Sequence, residues 1–214
     1  LIMSHNTTQA AMAQKIGLCA ITKTAQTLRY HNSAINESDL EKQMQVPMII
    51  GALNASPLTM ANVYATIAAN GVRCDPIAIT KVTKNGRELA VPSAGCKQEV
   101  AQTTAYILNK DVTQGVAKDA QLAGGRKTFA KTGTAEDKYM DSVIFTNGVA
   151  AYTTMGNMER PVSFTRKTVG GRTYDTWYGA YTLPILTSFM NDYVKAANIP
   201  DDPNYGQPDP SLMG

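Results

Sequence analysis

The stretch KTFAKTGTAEDKYMDSVIFTNGVAAYTTM, residues 127–155, decides the fold class of this chain. It contains three strand-like runs, at residues 127–136, 142–146 and 149–155, and the last two are separated only by Asn147-Gly148. Asn-Gly favours a two-residue hairpin turn because both turn residues must tolerate positive φ. The stretch therefore predicts an antiparallel meander of three strands.

Helical patterns lie on both sides of this meander. Ser56-Pro57 is a good helix start, since serine can cap the first turn and proline fits within it. Apolar spacing and helix-ending glycines predict further helices over residues 6–16, 22–29, 98–114 and 183–197. The predicted fold class is therefore α+β, with one antiparallel sheet packed against helices.

Finer expectations concern the segments around this sheet. Alternating residues at 77–82 and 88–91, separated by Asn85-Gly86, predict a second hairpin. Residues 157–177 are polar and contain glycine, and they predict a loop. The final helix is expected to turn five apolar side chains toward the core: Ile185, Leu186, Phe189, Met190 and Tyr193.

Length and composition exclude several classes of function. With 214 residues, 43% of them apolar, the chain can bury one substantial core. The net charge of +3 comes without a run of Lys and Arg, so nucleic acid is not expected as a partner. The longest apolar stretch, residues 46–53, is far shorter than the roughly 20 residues of a membrane helix.

The three cysteines allow two interpretations. No CxxC or Cys/His cluster is present, so no metal site is expected, and no organic cofactor is implied. Cys74 and Cys96 flank the hairpin at residues 77–91, and they could form a disulfide in an oxidising compartment. They could equally be small buried residues, as is expected of Cys19.

Two short motifs are candidates for chemistry. Lys131-Thr132-Gly133-Thr134 would suit a carboxylate, because the ammonium supplies charge, the hydroxyls donate hydrogen bonds and glycine allows close backbone approach. Ser4-His5-Asn6 precedes the first helix, where such residues often only cap it. Together they have the order of penicillin-recognising serine enzymes, which carry S-x-x-K, then S-D-N or a relative, then K-T-G.

The sequence around these motifs resembles the transpeptidase domain of penicillin-binding proteins, specifically the bifunctional ones. The resemblance covers residues 4–197, and it assigns residues 1–198 to the C-terminal part of that domain, followed by an extended, Pro-rich tail at 199–214. The segments that carry it are SHNTT at 4–8 with AQKIG at 13–17, GALNASPL at 51–58, the helix ending in ANG at 69–71, AKTGT at 130–134, Gly156-Asn157, Arg160-Pro161 and the helix at 184–193.

The resemblance implies a peptidoglycan D,D-transpeptidase and a partial penicillin-binding or serine β-lactamase-like fold. Ser4 would relay protons to the leaving group, Asn6 would hold the substrate's peptide group, and Lys131 would supply positive potential. The remaining motif residues would bind the terminal carboxylate of the substrate: Thr132, Gly133 and Thr134. Peptidoglycan stem peptides and β-lactam antibiotics are the implied partners, met at the extracytoplasmic face of the bacterial membrane.

Two departures from the family pattern matter. No serine in the chain has lysine three positions later, so the family's S-x-x-K nucleophile is expected upstream of Leu1, and the chain alone is expected to be inactive. The family's common W-F-x-G-Y-T is replaced by GVAAYT at residues 148–153. The parent protein is expected to be membrane-anchored, and the flanks are similar to enzymes that also carry a glycosyltransferase domain.

Two other functions stay open. A serine β-lactamase shares the motifs but needs an added general base, such as a glutamate on a dedicated loop, and no glutamate here lies in such a signature. A non-catalytic module could sense β-lactams or bind proteins without turnover. The intact motif residues argue against such degeneration, and the sequence upstream of Leu1 would separate these alternatives.

Overall fold

The computed structural model describes residues 1–30, 40, 45–91, 95–98, 103–157, 159–174, 181–208 and 210–212. Helices within these ranges are α1 (Asn6–Ile16), α2 (Leu18–Thr27), α3 (Pro57–Ala68), α4 (Thr103–Gln114) and α5 (Thr182–Ala196). Strands are β1 (Val72–Cys74), β2 (Val82–Lys84), β3 (Arg87–Leu89), β4 (Cys96–Gln98), β5 (Phe129–Ala135), β6 (Tyr139–Thr146), β7 (Val149–Gly156), β8 (Lys167–Val169) and β9 (Arg172–Tyr174).

The predicted meander is confirmed as a three-stranded antiparallel sheet in the order β5-β6-β7. Phe129 pairs with Phe145 at one end of the β5–β6 ladder, and Ala135 pairs with Tyr139 at the other. Gly148 takes φ +75° in the two-residue turn between β6 and β7, whereas Asn147 does not take a positive φ. The Gly148 N–H also donates to the Ala68 carbonyl oxygen at 2.9 Å, which ties this turn to the end of α3.

Helices cover both faces of this sheet, because side chains alternate along each strand. On one face Ala130 and Ile144 pack with Leu183, Leu186 and Met190 of α5. On the other face an aromatic cluster packs against α3 and α4, and its buried members are Ile67, Ala68, Ala105, Leu108, Phe129, Phe145 and Tyr205. The α+β fold class is therefore confirmed.

The inward face of α5 differs from the prediction. Leu186 and Met190 are buried as expected, but Ile185, Phe189 and Tyr193 are 59%, 54% and 44% exposed. The buried stripe includes Leu183 and Val194 instead, at the spacing that lies over the sheet. Apolar residues occur on two adjacent stripes of this helix, so periodicity alone selects the wrong one.

The structure corrects the bounds of several peripheral elements. The helix predicted at residues 22–29 begins four residues earlier, directly after Gly17, so Cys19 is an exposed helical residue and not a core residue. The predicted loop at 157–177 contains the β8–β9 hairpin, and residues 175–177 lie outside the described ranges. The helix predicted from residue 98 begins at Thr103, after β4, and residues 99–102 also lie outside the described ranges.

The hairpin at Asn85-Gly86 forms, but its strands are only three residues long. Residues 77–81, predicted to be strand, do not extend it. Residues 76–90 are all exposed, so no buried face extends the pairing beyond the tight turn. Sequence alternation alone does not reveal this limit on pairing.

The C-terminal tail packs against the core, whereas its composition predicts an extended segment. Tyr205 is 3% exposed, and its hydroxyl donates to the Ile67 carbonyl oxygen at 2.5 Å. Closer to the helix, the Arg126 guanidinium donates to the carbonyl oxygens of Ile199 at 2.6 Å and Pro200 at 3.1 Å. The tail is therefore held by contacts that are distant in sequence.

Candidate active site

The two candidate motifs meet in space. Lys131 Nζ on β5 donates to Ser4 Oγ at 2.8 Å, although the two residues are 127 positions apart in the sequence. Charge-assisted hydrogen bonds of this length are among the stronger ones in proteins. The first motif therefore lies at the edge of the sheet that carries the second.

Ser4 is held in an uncommon backbone conformation. Its φ is +54°, in the left-handed region that non-glycine residues adopt only at some cost. Its N–H donates to the Leu1 carbonyl oxygen at 2.9 Å and closes a tight turn immediately before α1. The turn directs the hydroxyl toward Lys131, so the strain accompanies a specific polar contact.

Lys131 is partly buried, and its ammonium makes a second hydrogen bond. Besides Ser4, its ammonium donates to the Thr132 carbonyl oxygen at 2.6 Å. Burial lowers the pKa of Lys131, and the carboxylate of Asp111 acts in the opposite direction. Burial in turn raises the pKa of Asp111, and Lys131 is the largest of the influences that lower it.

The Lys-Thr-Gly-Thr residues lie on alternate faces of β5. Lys131 pairs with Val143 and Gly133 with Asp141, on the face that holds the aromatic cluster. Thr132 pairs with Ser142 on the α5 face and is only 5% exposed. A ligand could therefore reach the hydroxyl of Thr132 only around the strand edge, whereas Thr134, on the same face, is partly accessible.

The two remaining residues of the first motif lie at the start of α1. His5 occupies the N-cap position and makes no side-chain capping bond, and Asn6 is the first residue of the helix. The Asn6 side chain is exposed, two residues beyond the turn that ends at Ser4. The motif thus acts as more than a simple helix cap, because its serine bonds to the sheet.

Asp111 belongs to this region, although sequence analysis did not select it. It lies among the buried residues of α4, next to Val112 and three residues after Leu108. Its Oδ1 accepts the Val116 N–H at 3.0 Å. An aspartate on the apolar face of a helix is a signal that could have identified it, since unpaired charges are rarely buried.

Cys74 and Cys96 form a cross-strand pair of β1 and β4. They are joined by a disulfide bond that closes a separation of 22 residues. In the part of the chain that is described, no group of three or more His, Cys, Asp or Glu side chains could hold a metal ion. Among the same residues, no helix has both the length and the apolar character of a membrane span.

Comparison with solved structures shows the fold. The chain matches PonA1 from Mycobacterium tuberculosis, solved in complex with penicillin V, with a TM-score of 0.78 at 19% identity over 98% of this chain. It also matches penicillin-binding protein 1A from Haemophilus influenzae, with a TM-score of 0.70 at 16% identity over 94% of this chain. The matches span 58% of the first chain and 34% of the second.

Sequence comparison identifies the family. No curated protein sequence matches the chain. A sequence model of the penicillin binding protein transpeptidase domain matches residues 1–161, which include both motifs, the disulfide and the whole three-stranded sheet. This chain therefore belongs to the penicillin-binding protein transpeptidase family.

Proposed function

We propose that this chain is part of a serine-type D-Ala-D-Ala transpeptidase that cross-links peptidoglycan. The observation that supports this function most directly is the 2.8 Å contact between Lys131 Nζ and Ser4 Oγ. It joins an ammonium to a hydroxyl at the strand edge, in a family defined by acyl transfer to a serine. Stem peptides ending in two D-alanines are the proposed substrates, and β-lactams are the proposed inhibitors.

The reaction has two acyl transfers. In the first, a serine oxygen attacks the carbonyl carbon between the two D-alanines; the C–O bond forms, the C–N bond breaks and the terminal D-alanine leaves as an amine after gaining a proton. In the second, an amine of a neighbouring strand attacks the acyl ester, forms the cross-link and returns the serine hydroxyl.

The residues of this chain would assist both steps. Ser4 would pass a proton to the leaving amine, a role supported by the hydrogen bond that it accepts from the Lys131 ammonium. Lys131 would supply positive potential near the terminal carboxylate of the substrate, and Asn6 would hold the substrate's peptide group. The backbone N–H of Thr134 would form half of the oxyanion hole, a contribution of about 3 kcal/mol in related chemistry.

The edge of the sheet offers a binding surface for an extended peptide. Among the described residues, β5 pairs with β6 on one side, and no further strand pairs with its other edge. An extended stem peptide could add to this edge as a strand would, with main-chain hydrogen bonds giving affinity. Gly133 helps because it carries no side chain to obstruct a close approach.

The nucleophile is proposed to lie in residues that precede Leu1. The chain contains no S-x-x-K, and its structural neighbours are considerably longer than the part it matches. The parent is further proposed to carry a glycosyltransferase domain and a membrane anchor, and to work on the extracytoplasmic face of the membrane. A disulfide suits that location, because disulfides persist in oxidising compartments.

Covalent capture of a labelled penicillin tests this function. We expect no adduct by mass spectrometry on the 214-residue chain, and one adduct per molecule on a form extended upstream through S-x-x-K. In the extended form, Ser4→Ala and Lys131→Ala should slow labelling sharply, while Lys118→Ala removes an exposed charge and should not. A stoichiometric adduct on the chain alone would contradict the placement of the nucleophile, and an extended form that never labels would favour a non-catalytic module.

A further inference from the structure

Asp111 is a buried carboxylate beside the candidate site. It lies in the last turn of α4 and is 1% exposed. Its Oδ1 accepts the backbone N–H groups of Val116 at 3.0 Å and Ala117 at 3.3 Å. Its Oδ2 is buried and has no hydrogen-bond partner among the described residues. A buried carboxylate of this kind is costly unless another charge compensates it.

Helix capping does not account for a charge at this position. The C-terminal end of a helix carries partial negative charge, so a carboxylate there is unfavourable. An asparagine could accept the same two N–H groups through its own side-chain oxygen and would bring no charge. The hydrogen bonds therefore explain a polar side chain at residue 111, but they do not explain an ionised one.

Lys131 is the largest of the influences that favour the ionised form of Asp111. Burial raises the pKa of Asp111, and Lys131 lowers it, followed by the two backbone N–H bonds and the Leu1 amino group. Burial lowers the pKa of Lys131, and Asp111 raises it. On α3, Tyr64 is a further titratable group that responds to Asp111. Each of the two ions thus stabilises the charged form of the other.

Asp111 also supports the backbone that carries Ser4. The loop it holds contacts the preceding turn, since the Val116 N–H lies 3.4 Å from the Ile2 carbonyl oxygen. A Cβ at Gly115 would collide with this same oxygen and with Asp111 Oδ1, so the two backbones meet closely. Ile2 lies inside the tight turn that ends at Ser4. Asp111 thus connects, through this loop, to the turn that carries Ser4.

We propose that Asp111 is a positioning residue for the Ser4–Lys131 pair. It holds the loop against which the Ser4 turn is built, and its buried negative charge favours the charged form of Lys131. It acts through these two residues and contacts no reacting atom. The consequence for acyl transfer rests on the proposed function, but the effect on Lys131 does not.

Three variants separate the charge of Asp111 from its hydrogen bonds. Asp111→Asn keeps the size and the acceptor oxygen but removes the charge, and Asp111→Ala removes both. Asp119→Asn removes an exposed carboxylate just beyond the same helix and is the matched control. NMR titration of the chain with ¹³C-labelled lysine, assigned by Lys131→Arg, gives the pKa of Lys131. We expect Asp111→Asn to lower that pKa, because the carboxylate that raises it is gone, and Asp119→Asn to leave it unchanged.

A purely structural role would give a different result. Both Asp111 variants would then lower the melting temperature, while the Asp111→Asn chain would keep the wild-type pKa of Lys131, and this outcome would overturn the assignment. Should Asp111→Ala fail to fold, Asp111→Asn still decides the question. The titration needs no nucleophile, so it remains informative even if no form of the protein captures penicillin.

In a form that does capture penicillin, the same variants test the catalytic consequence. We expect Asp111→Asn to slow acylation, because the positive charge of Lys131 is less favoured without the carboxylate. Asp119→Asn should acylate at the wild-type rate. Equal acylation rates in Asp111→Asn and wild type would remove Asp111 from the positioning of the pair.

Discussion

Tyr205 gives a direct test of whether the C-terminal tail belongs to the core. Its ring packs edge-on against Phe129 with centroids 5.0 Å apart, and its hydroxyl donates to the Ile67 carbonyl oxygen. Burial raises the pKa of Tyr205, so the hydroxyl stays a donor at neutral pH. Phe129 in turn lies two residues before Lys131, on the same face of β5. The tail therefore supports the strand that carries the candidate site.

Two substitutions at Tyr205 are expected to differ in cost. Tyr205→Phe removes one hydrogen bond, but the Ile67 oxygen still accepts the Asn70 N–H at 3.1 Å, so the loss should be only about 1 kcal/mol. Tyr205→Ala also removes a fully buried ring from the aromatic cluster, and such truncations cost roughly 3–5 kcal/mol. That is a large part of the about 5–15 kcal/mol by which domains are stable.

Urea unfolding followed by circular dichroism measures both costs. Asn204→Ala is the matched control, because its side chain is exposed in the same tail, and it should stay within about 0.5 kcal/mol of wild type. A Tyr205→Ala chain with the stability of the Asn204→Ala control would show that the tail does not pack on the core in solution. Gly206→Ala should also destabilise the chain, since a Cβ there would lie 2.6 Å from the Phe129 ring at φ +72°.

Three further outcomes follow from single contacts. Thiol titration of the unfolded, unreduced chain should find one thiol and not three, and replacing Cys74 and Cys96 together by serine should cost roughly 3 kcal/mol for a separation of 22 residues. Ser56→Ala should cost about 1 kcal/mol in thermal unfolding, because its hydroxyl caps the backbone N–H three residues later. The Ser163 hydroxyl lowers the pKa of Asp137, so the stabilisation by the Asp137 carboxylate is present above the usual aspartate pKa and is lost as pH falls through the lowered value. Hydrogen exchange at residues 163–165 should therefore increase at that acid pH. The Asp137→Asn chain should not show this acid-dependent increase.

Local sequence signals predicted the parts of the fold that local physics determines. The three-stranded meander follows from alternation and from Asn147-Gly148, a pair that favours a two-residue turn between paired strands. The start of α3 follows from Ser56-Pro57, because the cap and the proline act within one turn. These signals involve residues only a few positions apart, so they are visible without knowledge of the rest of the chain.

Elements that depend on distant partners were not predictable in this way. Helix α5 carries apolar residues on two stripes, and only the position of the sheet decides that Leu183 is buried while Ile185 is exposed. The tail has the composition of an extended segment, yet Tyr205 finds a buried acceptor 138 positions away. In both cases the sequence pattern is compatible with more than one packing, and tertiary contacts select among them.

The candidate site shows the same division between what motifs contain and what packing adds. Ser4 and Lys131 could be selected from the sequence because each lies in a short motif whose order along the chain matches a known chemistry. Asp111 lies in no such motif, and its two roles arise only when α4 brings it under the loop that meets Ile2 and within reach of the Lys131 charge. A motif therefore identifies the groups that could act on a substrate. The residues that influence the charge and the orientation of those groups are recognised only when the buried contacts are known. In this chain, Asp111 is a charged residue on the apolar face of a helix, and that sequence feature could have pointed to it.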